Sequence, residues 1–350
     1  MANLPVESWE LLTETYRKIP QEDYFLTKTF GKKVVRSPLP EVKIRVLGAP
    51  MTVATLGKAG DPARAVRTMG SYTEYIFETP EIYEYDEVTT EMAKAGQWDP
   101  RVLTGELKNA DDIAKSLSFI YGEKLAELKN RVARRKELMF AQILTEGKIS
   151  YSSTERSIEI DFNVDSPVAY TLASDTKVLT DLMDYVETFA NEYGKYPDIV
   201  LVTPNVAKAL LENDQVMDYL DKTRYGWGNI DFEKRSANVR YFGNFPHFGI
   251  PDMYIYTGKY VDESGSTKYY IPFDSGTGKI ILADTGAFRL AYGGIINFKL
   301  DPTGRPKITD VIVRSEISDD GNSKRIYVQT RPLPYIVHNK AVKVLSVTLA

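Results

Sequence analysis

The sequence contains no cysteine, which excludes disulfides, thiolate nucleophiles and cysteine-based zinc sites together. It has only two histidines, His247 and His338. Neither has a second histidine or a carboxylate at metal-ligand spacing, and both sit among apolar or aromatic neighbours, so structural histidines are expected and no metal centre. Basic charge is not in excess either: 44 Lys and Arg against 48 Asp and Glu leave a net charge of -4. A chain so balanced lacks the footprint that neutralises many phosphates, so specific nucleic-acid binding is not expected as its main task, although contact with enclosed or passing nucleic acid stays open. No apolar run approaches the length of a membrane span, and Met1 to Leu12 lacks the basic patch and apolar core of a secretory signal.

Catalytic constellations are missing as well. Gly276-Thr277-Gly278-Lys279 lacks the four-residue gap and the following Ser or Thr of a phosphate loop, and strand-like residues come next. Asp319, Asp320 and Asn322 are followed by Lys324 and Arg325 rather than by a calcium-loop glutamate. Ser152, Ser153 and Ser157 have no nearby base or nucleophile-elbow glycines. No catalytic, cofactor-binding or metal-binding residue is therefore expected.

What is present is scaffold. With 350 residues, 43% of them hydrophobic and 26% charged, the chain can form two or three domains with real cores. The 23 tyrosines suit large buried contacts. Its most informative stretch is Asn109 to Gly147. Asn109, Asp111 and Asp112 suit a helix start, and Gly147 suits a left-handed stop. Ile113, Leu117, Tyr121, Leu125, Leu128, Val132, Met139 and Ile143 recur at spacings of three, four or seven, which predicts one narrow apolar stripe along a rod of roughly 55 Å. Leu128 lies mid-stripe and Lys129 falls on the side expected to be exposed.

Before the rod the chain reads as arms. An amphipathic segment, Trp9 to Ile19, is followed by Tyr24, Phe25, Leu26 and Phe30 among lysines, and such aromatics need a partner surface, expected to be a neighbouring molecule. Period-two alternation from Glu41, a tip near Gly57 to Gly60 and renewed alternation around Tyr75 to Tyr85 predict a two-stranded excursion. Its charge is segregated. Lys28 to Arg67 is basic, with Lys43, Lys58, Arg64 and Arg67 among its members, whereas Glu74, Glu78, Glu81, Glu84, Asp86, Glu87 and Glu91 form a run without Lys or Arg. These charges either pair across one hairpin or set register against an adjacent copy.

After the rod, Ile149 to Tyr170 alternates as short strands. Ser174 is expected to cap a helix through Val178, Leu182, Val186 and Phe189 that ends at Gly194. Ile199 to Val202 reads as a buried strand, and Thr203-Pro204 opens the next helix. A mixed, Gly- and Tyr-rich region follows to Gly294. A carboxy-terminal hairpin then turns at Asp319 to Asn322, and Val342 to Leu349 is apolar enough to be an internal strand.

Several local sequences, in order along the chain, match a known pattern: Phe25-Leu26 with Phe30; Arg134-Arg135 through Ala141 and Leu144 to Glu146-Gly147-Lys148; Gly249-Ile250-Pro251 before Tyr254 and Tyr256; and Gln329-Thr330-Arg331-Pro332-Leu333-Pro334. On these the chain resembles the tailed-phage major capsid proteins of HK97-type fold, and more narrowly the lambda-like major capsid protein E family. The resemblance implies an α+β fold with an N-terminal arm (1–37), an extended β loop (38–106), a peripheral β platform carrying the long spine helix (107–173 and 295–350) and an α/β axial domain (174–294). It further implies a structural protein without active site or cofactor, assembling in the host cytoplasm as pentamers and hexamers into the icosahedral head of a virion. Scaffolding and portal proteins would be partners, a decoration protein remains open, and enclosed double-stranded DNA would be touched non-specifically. Phe25, Phe30, Lys58, Arg64, Arg67, Glu74, Glu78, Glu81 and Glu84 are the candidate assembly residues. An encapsulin-type shell around an enzyme cargo, or an enzyme built on the α/β segment, are the alternatives.

Overall fold

The computed structural model describes residues 8–48, 71–89, 92, 110–152, 157–223, 234–236, 238–319 and 321–350. Helix α1 (Trp9–Lys18) starts where the Ser8 hydroxyl accepts the Leu11 amide, and α2 (Phe25–Phe30) follows a short connector. The spine is α3 (Ala110–Glu146), 37 residues long and so about 55 Å from end to end. It stops at Gly147, which takes φ 71° and donates its amide to the Ile143 carbonyl. A Cβ there would lie 2.6 Å from the Val164 Cβ, so both the left-handed turn and the lack of space require glycine.

The strands in the first half are β1 (Val34–Arg36), β2 (Glu41–Gly48), β3 (Ser71–Glu78), β4 (Ile82–Thr89), β5 (Lys148–Ser152), β6 (Ser157–Asp161) and β7 (Val168–Leu172). Helix α4 (Val178–Tyr193), β8 (Ile199–Val202), α5 (Pro204–Glu212) and α6 (Asp214–Thr223) form the α/β segment. Then come β9 (Lys234–Ser236), β10 (Val239–Phe245), β11 (Ile250–Tyr256), β12 (Lys259–Val261), β13 (Thr267–Tyr269), β14 (Thr277–Ala283) and β15 (Phe288–Tyr292). The last four are β16 (Ile312–Ile317), β17 (Ser323–Thr330), β18 (Pro332–Ile336) and β19 (Val342–Leu349).

The largest sheet has the order β7-β19-β14-β8-β11-β10-β9. Its central strands are covered on both faces, which explains their unbroken apolar runs. Val200, Val202, Ile280 and Leu282 pack with Leu182, Val186 and Phe189 of α4. The alternate residues Ile199, Leu201, Ile281 and Ala283 face the main core, which also takes in Phe140, Ile143 and Leu144 of the spine. A second sheet, β16-β17-β4, covers the middle of the spine: Val313, Ile326 and Val328 meet Leu12 and Tyr16 of α1 and Leu125, Leu128 and Val132 of α3. A third, β1-β15-β18, seats the end of the arm.

Four expectations need correction. The spine is not apolar on one stripe throughout, because from Met139 onward it runs through the main core and Phe140, Ala141, Ile143 and Leu144 are buried around almost its whole circumference. Among the described residues, the excursion consists of β2 and β3. After Glu78 the chain leaves the hairpin, and β4 pairs with β17 from Ile82↔Thr330 to Thr89↔Ser323; the tip at 57–60 lies outside the described residues. Ser174 does not cap α4, which begins at Val178 behind Lys177. Instead the buried Asn213 amide gathers the carbonyls of Ala173, Ser174 and Thr176 at 2.8–3.0 Å, which holds this segment as a loop. Finally, β7 and β19 share one sheet with β8, β11 and β14, so divisions at 173/174 and 294/295 cut a continuous hydrogen-bonded layer.

Gly147→Ala should destabilise the protein by clearly more than Gly249→Ala. Both glycines are left-handed, at φ 71° and 65°, and each alanine costs about 1–2 kcal/mol on that account. Only at Gly147 would the new methyl collide; at Gly249 nothing lies within 4 Å. Urea titrations of the two variants check this, and equal losses would show that Val164 yields freely.

Candidate assembly interface

An arm can serve assembly only if something fixes where it leaves the subunit. The spine does this with two inward charges eight residues apart, Lys129 and Glu137. Lys129 Nζ donates to the carbonyls of Tyr16, Arg17 and Ile19 at 2.8, 3.1 and 2.6 Å. These are carbonyls that the end of α1 leaves open, and a cation suits that negative dipole end. The Glu137 carboxylate does the converse. It accepts from the Leu26 and Thr27 amides at 2.8 Å each, from Thr27 Oγ1 at 2.7 Å and from the Tyr256 hydroxyl at 2.8 Å. Helix α2 has no cap of its own, so the spine supplies one, and β11 is tied to the same carboxylate.

Both charges are desolvated. Burial pushes the Glu137 carboxyl above its usual range, against the pull of the Thr27, Leu26 and Tyr256 donors. Burial likewise lowers the Lys129 ammonium, and it raises the Tyr256 phenol, helped by the neighbouring Glu137 charge. The expected exposure of Lys129 is thus overturned: its flank of the spine faces α1, and it is 8% exposed. Sequence reasoning missed both residues. No local signal set them apart, because Glu123, Lys124, Glu127, Arg131, Arg134, Arg135 and Lys136 share the same stretch of the helix.

The arm aromatics find their partner surface inside the subunit. Phe30, expected against a neighbour, is fully buried within the subunit and meets Phe288 edge-on at 4.7 Å. Phe25 is partly buried against Tyr254 at 5.5 Å, and Phe77 packs on Phe162 at 5.7 Å. The acidic run is also engaged from within: Glu78 pairs with Arg331 at 3.4 Å, Glu81 accepts from Gln329 Nε2 at 2.5 Å, and Glu84 pairs with Arg131 at 2.9 Å. The register of the hairpin sets Glu74 opposite Arg45. Lys58, Arg64 and Arg67 lie outside the described residues.

A further exposed face was not legible. On the outer side of β16-β17-β4, the Arg314 guanidinium lies 4.1 Å over the Tyr327 ring and also bonds Glu316 and the Tyr83 hydroxyl, while Arg325 lies 5.5 Å over Tyr85. Tyr83 and Tyr85 are about half exposed. Stacked tyrosine and arginine of this kind are the side chains enriched where proteins meet.

The weak chemical motifs resolve as structure. Asp274 Oδ1 accepts the Gly276 and Thr277 amides at 2.9 and 2.7 Å, so Gly276 ends a turn and Thr277 to Lys279 already belong to strand β14. His338 accepts the Lys340 amide at its Nδ1 and abuts Tyr193 at 5.0 Å. Among the described residues no three His, Asp or Glu are grouped to hold a metal ion, and no helix is long and apolar enough to cross a membrane.

The chain matches, over residues 8–344, the family model described as phage major capsid protein E. A protein assigned as the capsid protein of a prophage of Escherichia coli CFT073 superposes with a TM-score of 0.63 at 15% identity, with 99% of each chain covered. A phage-related protein of Bordetella bronchiseptica RB50 gives a TM-score of 0.49 at 12% identity over 96% of each chain. A chain of Microbacterium phage Oxtober96 gives 0.49 at 12% identity, over 95% of this chain and 93% of that one. No curated protein matches in sequence.

Glu137→Gln should loosen the arm without unfolding the sheets. One carboxylate oxygen becomes an amide donor facing the donors of Leu26 or Thr27, a buried mismatch of about 1–3 kcal/mol. Hydrogen exchange read at residues 26–30 should accelerate accordingly. Lys18→Ala, which removes only the exposed pair with Glu14, should leave the same amides unchanged.

Proposed function

Because the chain belongs to the phage major capsid protein E family, we propose that its shell is an icosahedral head of pentamers and hexamers enclosing double-stranded DNA. The family settles the class: this is a structural capsid protein of the virion, of HK97-type fold, which assembles with copies of itself and is not an enzyme. The single observation that carries the reading is the family match over nearly the whole chain, joined to a fold in which a long spine holds a tethered arm and a two-stranded hairpin. An encapsulin-type shell around an enzyme cargo is not favoured by membership of a phage family.

The finer assignments follow from charge and shape. A net charge of -4 suits contact with packed DNA that is weak and independent of sequence, since a strongly basic wall would hold the phosphates. Scaffolding and portal proteins would act during assembly in the host cytoplasm. The contacts between copies would use the hairpin: Arg64 and Arg67 of one subunit facing Glu74 and the largely exposed Glu78 of the next, with Lys58 near the tip. Glu81 and Glu84, held by Gln329 and Arg131, would contribute less. Each exposed ion pair is worth only about 0–1 kcal/mol, but a closed shell repeats it in every subunit.

Electron microscopy of the purified protein should show closed shells. DNA in shells purified from infected or induced cells supports the proposed cargo, and shells filled with one enzyme would refute it. Reversing Arg64 and Arg67 together to Glu should abolish shells while the subunit keeps its circular dichroism, and matching reversals of Glu74 and Glu78 should restore part of the yield. Normal shells from the double reversal would confine these charges to pairing within one hairpin.

A further inference from the structure

A cavity of about 160 Å³ lies where α1, the spine and the strand pair β16-β17 meet. Its polar lining includes Arg17, Lys129, Lys136, Tyr292, Asp310 and Thr330, which amounts to three cations against one carboxylate. Two of the cations are accounted for. Arg17 pairs with Asp310 and also donates to Thr309, and Lys129 is spent on the three carbonyls at the end of α1. Lys136 is not. Among the described residues its ammonium has no hydrogen bond and no ion pair within 4 Å. Burial holds it below the ordinary lysine range, with the more distant Asp310 acting the other way.

An ammonium partly withdrawn from water without a partner carries a cost, and that cost falls when an anion joins it. Arg17 uses a single terminal nitrogen on Asp310 and Thr309, so it keeps further donors. Tyr292 adds a phenolic hydroxyl, which burial keeps protonated. The volume equals the share of about five waters, enough for one tetrahedral oxyanion with little solvent. From this geometry we infer that Lys136 and Arg17 hold a phosphate-class oxyanion, free or as a phosphodiester, between the arm and the spine. Such an ion bridges α1 to α3 beside Lys129 and tightens the docking that Lys129 begins.

The test uses the full chain, in chloride and in inorganic phosphate at matched ionic strength. Phosphate should raise the melting midpoint, and calorimetry should find one site per chain. Lys136→Met should bind phosphate at least about tenfold more weakly, the loss of one charged hydrogen bond, and should melt no lower than the unaltered chain in chloride, because a half-buried charge without a partner among the described residues has been removed. Lys136→Arg should keep the phosphate response. Lys136→Gln carries the same criterion as the methionine variant if that one does not fold. A short double-stranded oligonucleotide that competes with phosphate for the site identifies a phosphodiester as a ligand, whereas phosphate binding without such competition identifies the free ion. No phosphate response in the unaltered chain, or an equal response in Lys136→Met, overturns the site. So does a Lys136→Met chain that binds phosphate normally but fails to assemble, which would give the ammonium to a carboxylate of a second copy.

Discussion

The arm helices α1 and α2 are each held by a charge that the spine buries, and the spacing between them depends on both. A helix end is a fixed partial charge with open hydrogen-bonding groups. Lys129 meets the carbonyl end of α1 and Glu137 meets the amide end of α2. Eight residues of α3 separate the two side chains, about 12 Å along the axis, so the spine acts as a ruler for the connector between the arm helices. Exchanging the signs would set like against like at both ends. Apolar contact alone would not select this register, since Leu12 and Tyr16 could slide by a turn against Leu125, Leu128 and Val132 and still be covered.

Such charges are poor sources of net stability, because desolvation consumes most of their mutual attraction. Their effect lies in what a wrong arrangement would cost. A displaced α2 leaves Glu137 buried without its four donors, and a displaced α1 leaves Lys129 without its three acceptors. Either mistake costs several kcal/mol. The clamp also reaches the large sheet: Tyr256 of β11 donates to the carboxylate that caps α2, so arm, spine and α/β segment share one hydrogen-bonded junction. That segment is bound to the rest of the chain a second time where β19 enters its sheet between β7 and β14.

Elements with a strong local signal were readable from sequence. The spine, the buried β8, the Thr203-Pro204 helix start and the Gly194 stop each rest on periodicity or cap chemistry within a few residues. Partners distant in sequence were not readable. The alternation of β4 is the same whether it returns along β3 or joins β17, and only the fold decides, through a pairing some 240 residues away. Ser174 looks like a cap until Asn213 claims its carbonyl. Lys129 looks solvated until α1 lies across it, and Phe30 looks sticky until Phe288 covers it. The candidate interface suffered most, because exposure is a property of the packed subunit, and a charge or aromatic residue carries no local mark of which side it will face.

The arm's attachment within the subunit changes what is left for neighbours. With Leu26 and Phe30 wholly covered, these two large apolar side chains of the arm are already committed before any second copy arrives, while Leu11, Val34 and Val35 stay exposed. The surfaces proposed for contact are of modest strength: the hairpin of β2 and β3 with its segregated charge, and the tyrosine and arginine face of β4, β17 and β16. Weak contacts suit a closed shell. A subunit that joined each neighbour through a large apolar patch would be held irreversibly at its first misplaced contact. Many contacts of about 1 kcal/mol or less can instead break and re-form until geometry lets all of them close at once. The rigid junction at Glu137 and Lys129 serves that process, because weak contacts select a single geometry only when the bodies that carry them do not bend.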